Sequence, residues 1–166
     1  MIMNQCCRHL ASKPKMIRNN SVQIKPLAKD SYDVWLKLWQ SYLDFYNTDL
    51  PVSTTENTWH NLHNNEVPIH GFEAWSDTQL VGIVHVMLHP STWSKTESCY
   101  LHDLYVLKEV RGKGIGRGLI EAVYNFARSR ECNRVYWTTQ EGNTASRILY
   151  EQLADKTDMV QYRKDL

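Results

Sequence analysis

A chain of 166 residues, 42% hydrophobic and 22% charged, has the composition of a soluble globular protein and the length of one domain with a sizeable core. A formal net charge of +1 excludes a global field that would draw the chain to nucleic acid or to an anionic membrane, so electrostatic recognition has to be local. The four cysteines, Cys6, Cys7, Cys99 and Cys132, lack metal-ligand spacing and read as reduced thiols, so no metal site is expected.

In chain order, residues 1–20 are mostly polar and without periodicity, and read as a disordered or loosely attached leader. They lack an apolar signal-type core, and the longest apolar run, Leu80 to Leu88, is short and interrupted by His85. The expected location is therefore cytoplasmic, with a single domain over residues 21–166 and neither a membrane nor a nucleic-acid partner. Ser21 to Ala28 alternates and predicts a first strand. Asp30 or Ser31 can cap a helix in which Tyr32, Trp35, Leu36, Trp39, Tyr42, Leu43 and Tyr46 recur at spacings of three and four. Its aromatic face suits core packing, or a cleft for a cationic ligand.

A short helix is expected around Glu56 to Asn64. Gly71 to Trp75 and Leu80 to Leu88 read as a hairpin turning at Ser76-Asp77-Thr78, and Cys99 to Val106 as the third strand of a meander. After Val106 come a glycine turn, a helix with Leu119, Ala122, Val123, Phe126 and Ala127 on one face, and a strand over Val135 to Thr138. Strand, helix, strand requires a parallel crossover. Asn143 or Thr144 caps a further helix carrying Ala145, Ile148, Leu149 and Leu153, and Met159, Val160 and Tyr162 could form a last strand. The fold class is therefore α/β in the mixed α+β sense, a mixed sheet with helices packed on it.

Four of the seven glycines lie in the turn Arg111-Gly112-Lys113-Gly114-Ile115-Gly116-Arg117-Gly118. Glycines this dense allow close backbone approach, and the helix that follows points unpaired N–H groups and a positive dipole end into the turn. That combination makes a phosphate site. A P-loop is excluded because Gly114, not Ser or Thr, follows Lys113. The dinucleotide fingerprint fails because its third glycine falls on Arg117 or on Leu119. What remains is Arg-x-x-Gly-x-Gly at Arg111, Gly114 and Gly116, after a strand ending Leu104-Tyr105-Val106.

This pattern resembles the acyl-CoA motif of the GNAT N-acetyltransferases. The order of elements matches that family from Ser21 onward, and Asn143, Ala145, Leu149 and Tyr150 stand where the family carries an Asn and then a helix bearing Leu-Tyr. The stretch His89 to Val106 is similar to the branch of Hpa-type histone and polyamine acetyltransferases. The resemblance implies an antiparallel meander, then a β-α-β crossover with splayed central strands. It implies acetyl-CoA as co-substrate, its pyrophosphate held by backbone from Arg111, Gly112, Lys113, Gly114, Ile115 and Gly116, with charge from Arg117 or Lys113. The pantetheine arm would follow the Leu104, Tyr105, Val106 edge, with Asn143 and Tyr150 beyond it. Tyr150 would be the general acid for the leaving thiol.

An acceptor amine is mostly ammonium at neutral pH, and deprotonating it costs roughly 4–5 kcal/mol, so a base is expected. Where polyamine-type relatives carry Glu, this chain has His102, which is the candidate base; His85, Glu73 and Tyr100 compete. By simple alternation His102 shares a face with Leu104 and Val106, and Asp103 points the other way. Asp103, Glu73 and Glu97 could offer negative charge to a cationic acceptor, and Trp93, Trp35 and Tyr42 aromatic faces. The expected acceptor is a primary amine: a polyamine, a basic protein tail, an aminoglycoside or another small amine. Family members often dimerise, so a homodimer is expected too. The rival reading is a sensor that binds acyl-CoA without turnover. The family's Gly-Phe after Tyr150 is missing, which bears on the acceptor wall.

Overall fold

The computed structural model describes residues 22–166; the leader expected over residues 1–20, with Cys6 and Cys7, lies outside them. Strand β1 (Val22–Pro26) is followed by one turn of 3-10 helix, helix α1 (Tyr32–Phe45) and helix α2 (Val52–Leu62). Strands β2 (Ile69–Ser76), β3 (Gln79–His89) and β4 (Ser98–Val106) form the meander, and helix α3 (Ile115–Ser129), strand β5 (Val135–Tyr136) and helix α4 (Thr144–Tyr150) complete the order. The five strands lie in sequence order, antiparallel except for the parallel pair β4–β5.

Two apolar layers sandwich the sheet. On one face α1 and α2 bury Trp35, Leu38, Trp39, Leu43 and Leu62 against Leu27, Leu80 and Ile83. On the other, α3 sets Ile115, Leu119, Ile120, Val123 and Ala127 on Val81, Val84, Val86, Cys99 and Leu101. Both helices bury the stripe that their spacing of three and four predicts. Most of the aromatic surplus serves the first layer, where Trp35 stacks on Trp39 at 5.5 Å and Trp39 on Tyr42 at 5.3 Å.

Two local features decide how the site is built. The β4–β5 pairing is confined to Cys99–Val135 and Tyr100–Tyr136, so the strands part beyond Tyr100 and leave the β4 edge from Leu101 to Val106 without a strand partner on that side. The second is a bulge: His85 pairs with Asp103 but Val86 with Leu101, so His102 is an extra residue in β4.

Several expected boundaries shift. Helix α2 begins at Val52 rather than near Glu56, because Pro51 can precede a first helical turn that needs no N–H from it. Strand β5 stops at Tyr136 instead of Thr138, since the splay removes its partner. Helix α4 ends at Tyr150, and Leu153 lies in the turn after it. The last strand does not form: residues 155–166 carry no regular structure, and Met159, Val160 and Tyr162 are exposed.

Candidate active site

The glycine turn lies where β4 hands over to α3. Gly112 and Gly114 adopt φ of 77° and 82°, the left-handed region that side chains avoid, and a Cβ on either would meet nothing within 4 Å. Gly112 and Gly114 therefore serve the shape of a turn open to solvent. Close packing falls on Gly118 instead, where an added Cβ would lie 2.6 Å from Ile24 Cδ1. Gly114 occupies the N-cap of α3 and has no side chain to bond the first helical amides, so those of Ile115, Gly116 and Arg117 face the turn.

The basic side chains of the turn are spread apart. Arg111 Nε donates to the Val106 carbonyl at 2.9 Å, and its guanidinium lies over Phe45 and Tyr105 at 5.4 and 5.5 Å. Arg117 donates to the Gln152 side chain, and Tyr124 donates its hydroxyl proton to the Leu153 carbonyl, which together dock the turn after α4 onto α3. Lys113 is exposed. Asn143 holds the N-cap position of α4, yet its Nδ2 donates to Thr139 Oγ1 rather than its side chain capping the helix.

On the α1 face of β4 lies a polar cluster centred on Asp103, which is only 8% exposed. Tyr42 donates to Asp103 Oδ1 at 2.7 Å, His102 Nδ1 to the same oxygen at 3.0 Å, and His85 Nδ1 to Oδ2 at 3.0 Å. Burial alone would raise the Asp103 carboxyl, but the hydrogen bonds that His102 and His85 donate to it hold it well below the usual carboxylate range. The Asp103 bond raises His102 above the ordinary histidine value; partial burial opposes this and the carboxylate's charge adds to it. Burial first, and then the Asp103 charge, raises both Tyr42 and Tyr46, so both keep their protons.

The bulge overturns the simple alternation expected around His102. Its ring sits 5.4 Å from Tyr100 and bonds Asp103, whereas Leu104 and Val106 pack toward the α3 layer. With Nδ1–H given to Asp103, its Nε2 is left as a basic nitrogen on a side chain 46% exposed. His85 offers no such nitrogen, because its Nε2 accepts the Trp35 indole N–H at 3.0 Å. Tyr100 bonds Thr138 through its hydroxyl at 3.1 Å.

Tyr150, from α4, packs with the α3 layer. Its ring packs edge-on to Trp137 at 5.4 Å. Burial raises its phenol, and the Ser146 hydroxyl opposes that. Tyr46 lies 5.0 Å from Tyr42, ring to ring, so Tyr46, Tyr42 and Asp103 form a connected group beside the open β4 edge.

Other expected site residues lie apart from this group or beneath its surface. Trp35 is fully buried behind His85. Glu73 is also fully buried, 3.4 Å from Lys25 Nζ. Trp93 stands 94% exposed in the β3–β4 loop. The Tyr42 hydroxyl is a member of the Asp103 cluster that periodicity missed, since it marked only the ring. Leu101 and Leu104 were the available signal for the bulge: two core leucines three apart cannot both face one layer in a regular strand.

A meander feeding a splayed parallel pair, with a glycine turn opening a helix at the splay, is the architecture that the resemblance to the GNAT N-acetyltransferases implies. Residues 32–154 match the model of the acetyltransferase (GNAT) family. The chain is 33% identical over 156 residues to the D-amino-acid N-acetyltransferase HPA3 of Saccharomyces cerevisiae, covering 92% of this chain and 96% of that one. A shorter match, 36% identical over 63 residues and 38% of this chain, is to 36% of the thialysine N-epsilon-acetyltransferase of Bos taurus. Among solved structures, the ribosomal-protein-alanine N-acetyltransferase of Brucella melitensis biovar Abortus superposes with a TM-score of 0.76 at 23% identity, over 88% of this chain and all (100%) of that one. An aminoglycoside acetyltransferase from an uncultured soil metagenomic sample gives 0.75 at 21%, over 89% and 98%. The chain belongs to the GNAT family of acetyltransferases and is an N-acetyltransferase enzyme. Among the described residues, no helix is long and apolar enough to cross a membrane.

Proposed function

We propose that this enzyme acetylates the primary amine of a small, amino-acid-like acceptor by direct attack, with acetyl-CoA as donor. The observation that carries this reading is the His102–Asp103 pair at the bulge, beside the splayed β4 edge.

The residues at the turn suit the donor. Left-handed Gly112 and Gly114 leave the turn open, and the amides of Ile115, Gly116 and Arg117 would hold a pyrophosphate, with Lys113 adding charge. The β4 edge over Leu104, Tyr105 and Val106, which has no strand partner on the splayed side, would pair with an amide-rich arm, the Val106 carbonyl being taken by Arg111 Nε. When bound, acetyl-CoA supplies the thioester that the amine attacks. A backbone N–H in that segment would bond the carbonyl oxygen as charge develops on it. His102 Nε2 takes the proton of the acceptor ammonium, and the Asp103 carboxylate stabilises the imidazolium that results. Tyr150 keeps its phenolic proton at neutral pH and would give it to the departing sulfur. A small acceptor is favoured because the relative covering most of this chain is a D-amino-acid N-acetyltransferase.

The test is thiol release from acetyl-CoA against D- and L-amino acids, thialysine, spermidine, an aminoglycoside and a basic peptide. Fastest release with an amino acid is the expected result. Preference for the peptide or the polyamine would overturn the acceptor class, and acetyl-CoA binding without release from any amine would overturn the transferase reading.

A further inference from the structure

The Asp103 carboxylate is held from behind by two side chains that the proposed chemistry does not use. Trp35, fully buried in α1, donates its indole proton to His85 Nε2 at 3.0 Å. An indole nitrogen can only donate, so Nε2 must carry a lone pair and Nδ1 the proton. That proton goes to Asp103 Oδ2 at 3.0 Å. The tautomer is thus dictated by a residue 50 positions away in the chain, and only that tautomer lets His85 donate to the carboxylate. Oδ1 is left for His102 and Tyr42.

We propose that Trp35 and His85 are positioning residues: the indole locks the His85 tautomer, His85 pins one oxygen of Asp103, and the other oxygen is thereby aimed at Nδ1 of His102. This deepens the reading above and rests on His102 as base. A carboxylate pinned at one oxygen cannot rotate away, so the imidazole of His102 is held in one tautomer with Nε2 outward. The titratable groups facing Asp103 are Tyr42 from α1 and Tyr46 at its C-terminal end, His85 from β3 and His102 from β4, with Tyr100 against His102. The tyrosines that burial and the carboxylate hold protonated add no negative charge, so Asp103 is the anion that His102 senses.

The test reads imidazole nitrogens by NMR in the full chain, alongside steady-state kinetics. In the wild type His85 should appear as the Nδ1–H tautomer, and His102 should titrate above the ordinary histidine value. His85→Leu should lower the His102 midpoint, move the acidic limb of kcat to lower pH and reduce kcat about 10-fold, with the acetyl-CoA KM unchanged. His85→Gln carries one donor and one acceptor on a single amide and should restore the midpoint and most of kcat. Trp35→Phe removes the lock, so His85 should become a mixture of tautomers and the His102 midpoint should fall; this variant and His85→Gln carry the test if His85→Leu does not fold.

An unmoved His102 midpoint in folded His85→Leu, or in Trp35→Phe, would overturn the inference. So would equal losses in His85→Leu and His85→Gln, which a packing role alone produces. His102→Gln separates the two levels. If it keeps wild-type kcat and the acidic limb, the base reading is lost. If it loses both while the midpoint stays put in the His85 and Trp35 variants, only the positioning inference is lost.

Discussion

The proposed donor side and the proposed acceptor side of this site are made by different kinds of structure. The donor side is one contiguous stretch, Leu104 to Arg117, whose shape follows from a strand end, two left-handed glycines and a helix start. The acceptor side is assembled from distant pieces: Tyr42 reaches Asp103 across 61 positions and Trp35 reaches His85 across 50. Contiguous sites depend on local backbone conformation and tolerate change elsewhere in the fold. Assembled sites depend on the packing of α1 on β3 and β4, so one buried polar group carries much of the arrangement.

Substitutions should separate the two sides cleanly. The largest effect is expected for Asp103→Asn, which leaves three donors facing a neutral amide: kcat should fall at least about 100-fold, while acetyl-CoA affinity measured by calorimetry stays near the wild-type value. A parallel loss of acetyl-CoA binding would erase the division between the sides. Tyr150→Phe removes the proposed acid and should lower kcat about 100-fold with little change in the acetyl-CoA KM; wild-type turnover would remove Tyr150 from the mechanism.

The pH dependence sharpens the same division. Because the folded state raises His102, the neutral base is lost as pH falls through that raised value, so the acidic limb of kcat should lie above the ordinary histidine range. For stability the signs differ between the partners. The His102 contribution is complete below its unfolded value of about 6.5 and is lost as pH rises through its raised folded value. Asp103, depressed on folding, contributes above its unfolded value of about 3.9, and that contribution is lost as pH falls toward its depressed folded value. Urea titrations across that range would read both. On the donor side Gly114→Ala forces a Cβ into φ of 82° and should cost about 1–2 kcal/mol of stability, read by denaturant midpoint. Its acetyl-CoA KM should rise while the acidic limb stays in place. The smallest change is expected for Trp93→Ala: the ring is 94% exposed, so stability should shift within about 0.5 kcal/mol, and only a rise in the acceptor KM would give it a binding role.

The donor side and most of the fold could be read along the chain. Helix α1 declares itself through seven apolar positions at spacings of three and four, and the turn through its glycines and the helix behind it. The acceptor side was less legible. His102 and Asp103 stood out as residue types, but alternation placed them on opposite faces, and the bulge reverses that. Trp35 was open to two readings, core packing or an aromatic face for a cation; it is buried in the core, and its nitrogen is spent on His85. The tail misled for a related reason. Met159, Val160 and Tyr162 have the composition of a strand, but a strand exists only where a neighbouring edge pairs with it, and β5 ends at Tyr136.

By itself the sequence determined the order of elements, the two buried helix stripes and the glycine turn, because each follows from periodicity or from backbone freedom within a few residues. The tertiary structure alone decided the splay beyond Tyr100, the extra residue at His102 and the convergence of Tyr42, His85 and His102 on one carboxylate. Those depend on which strands and helices pack together, and a buried hydrogen bond between residues tens of positions apart leaves no period in the chain.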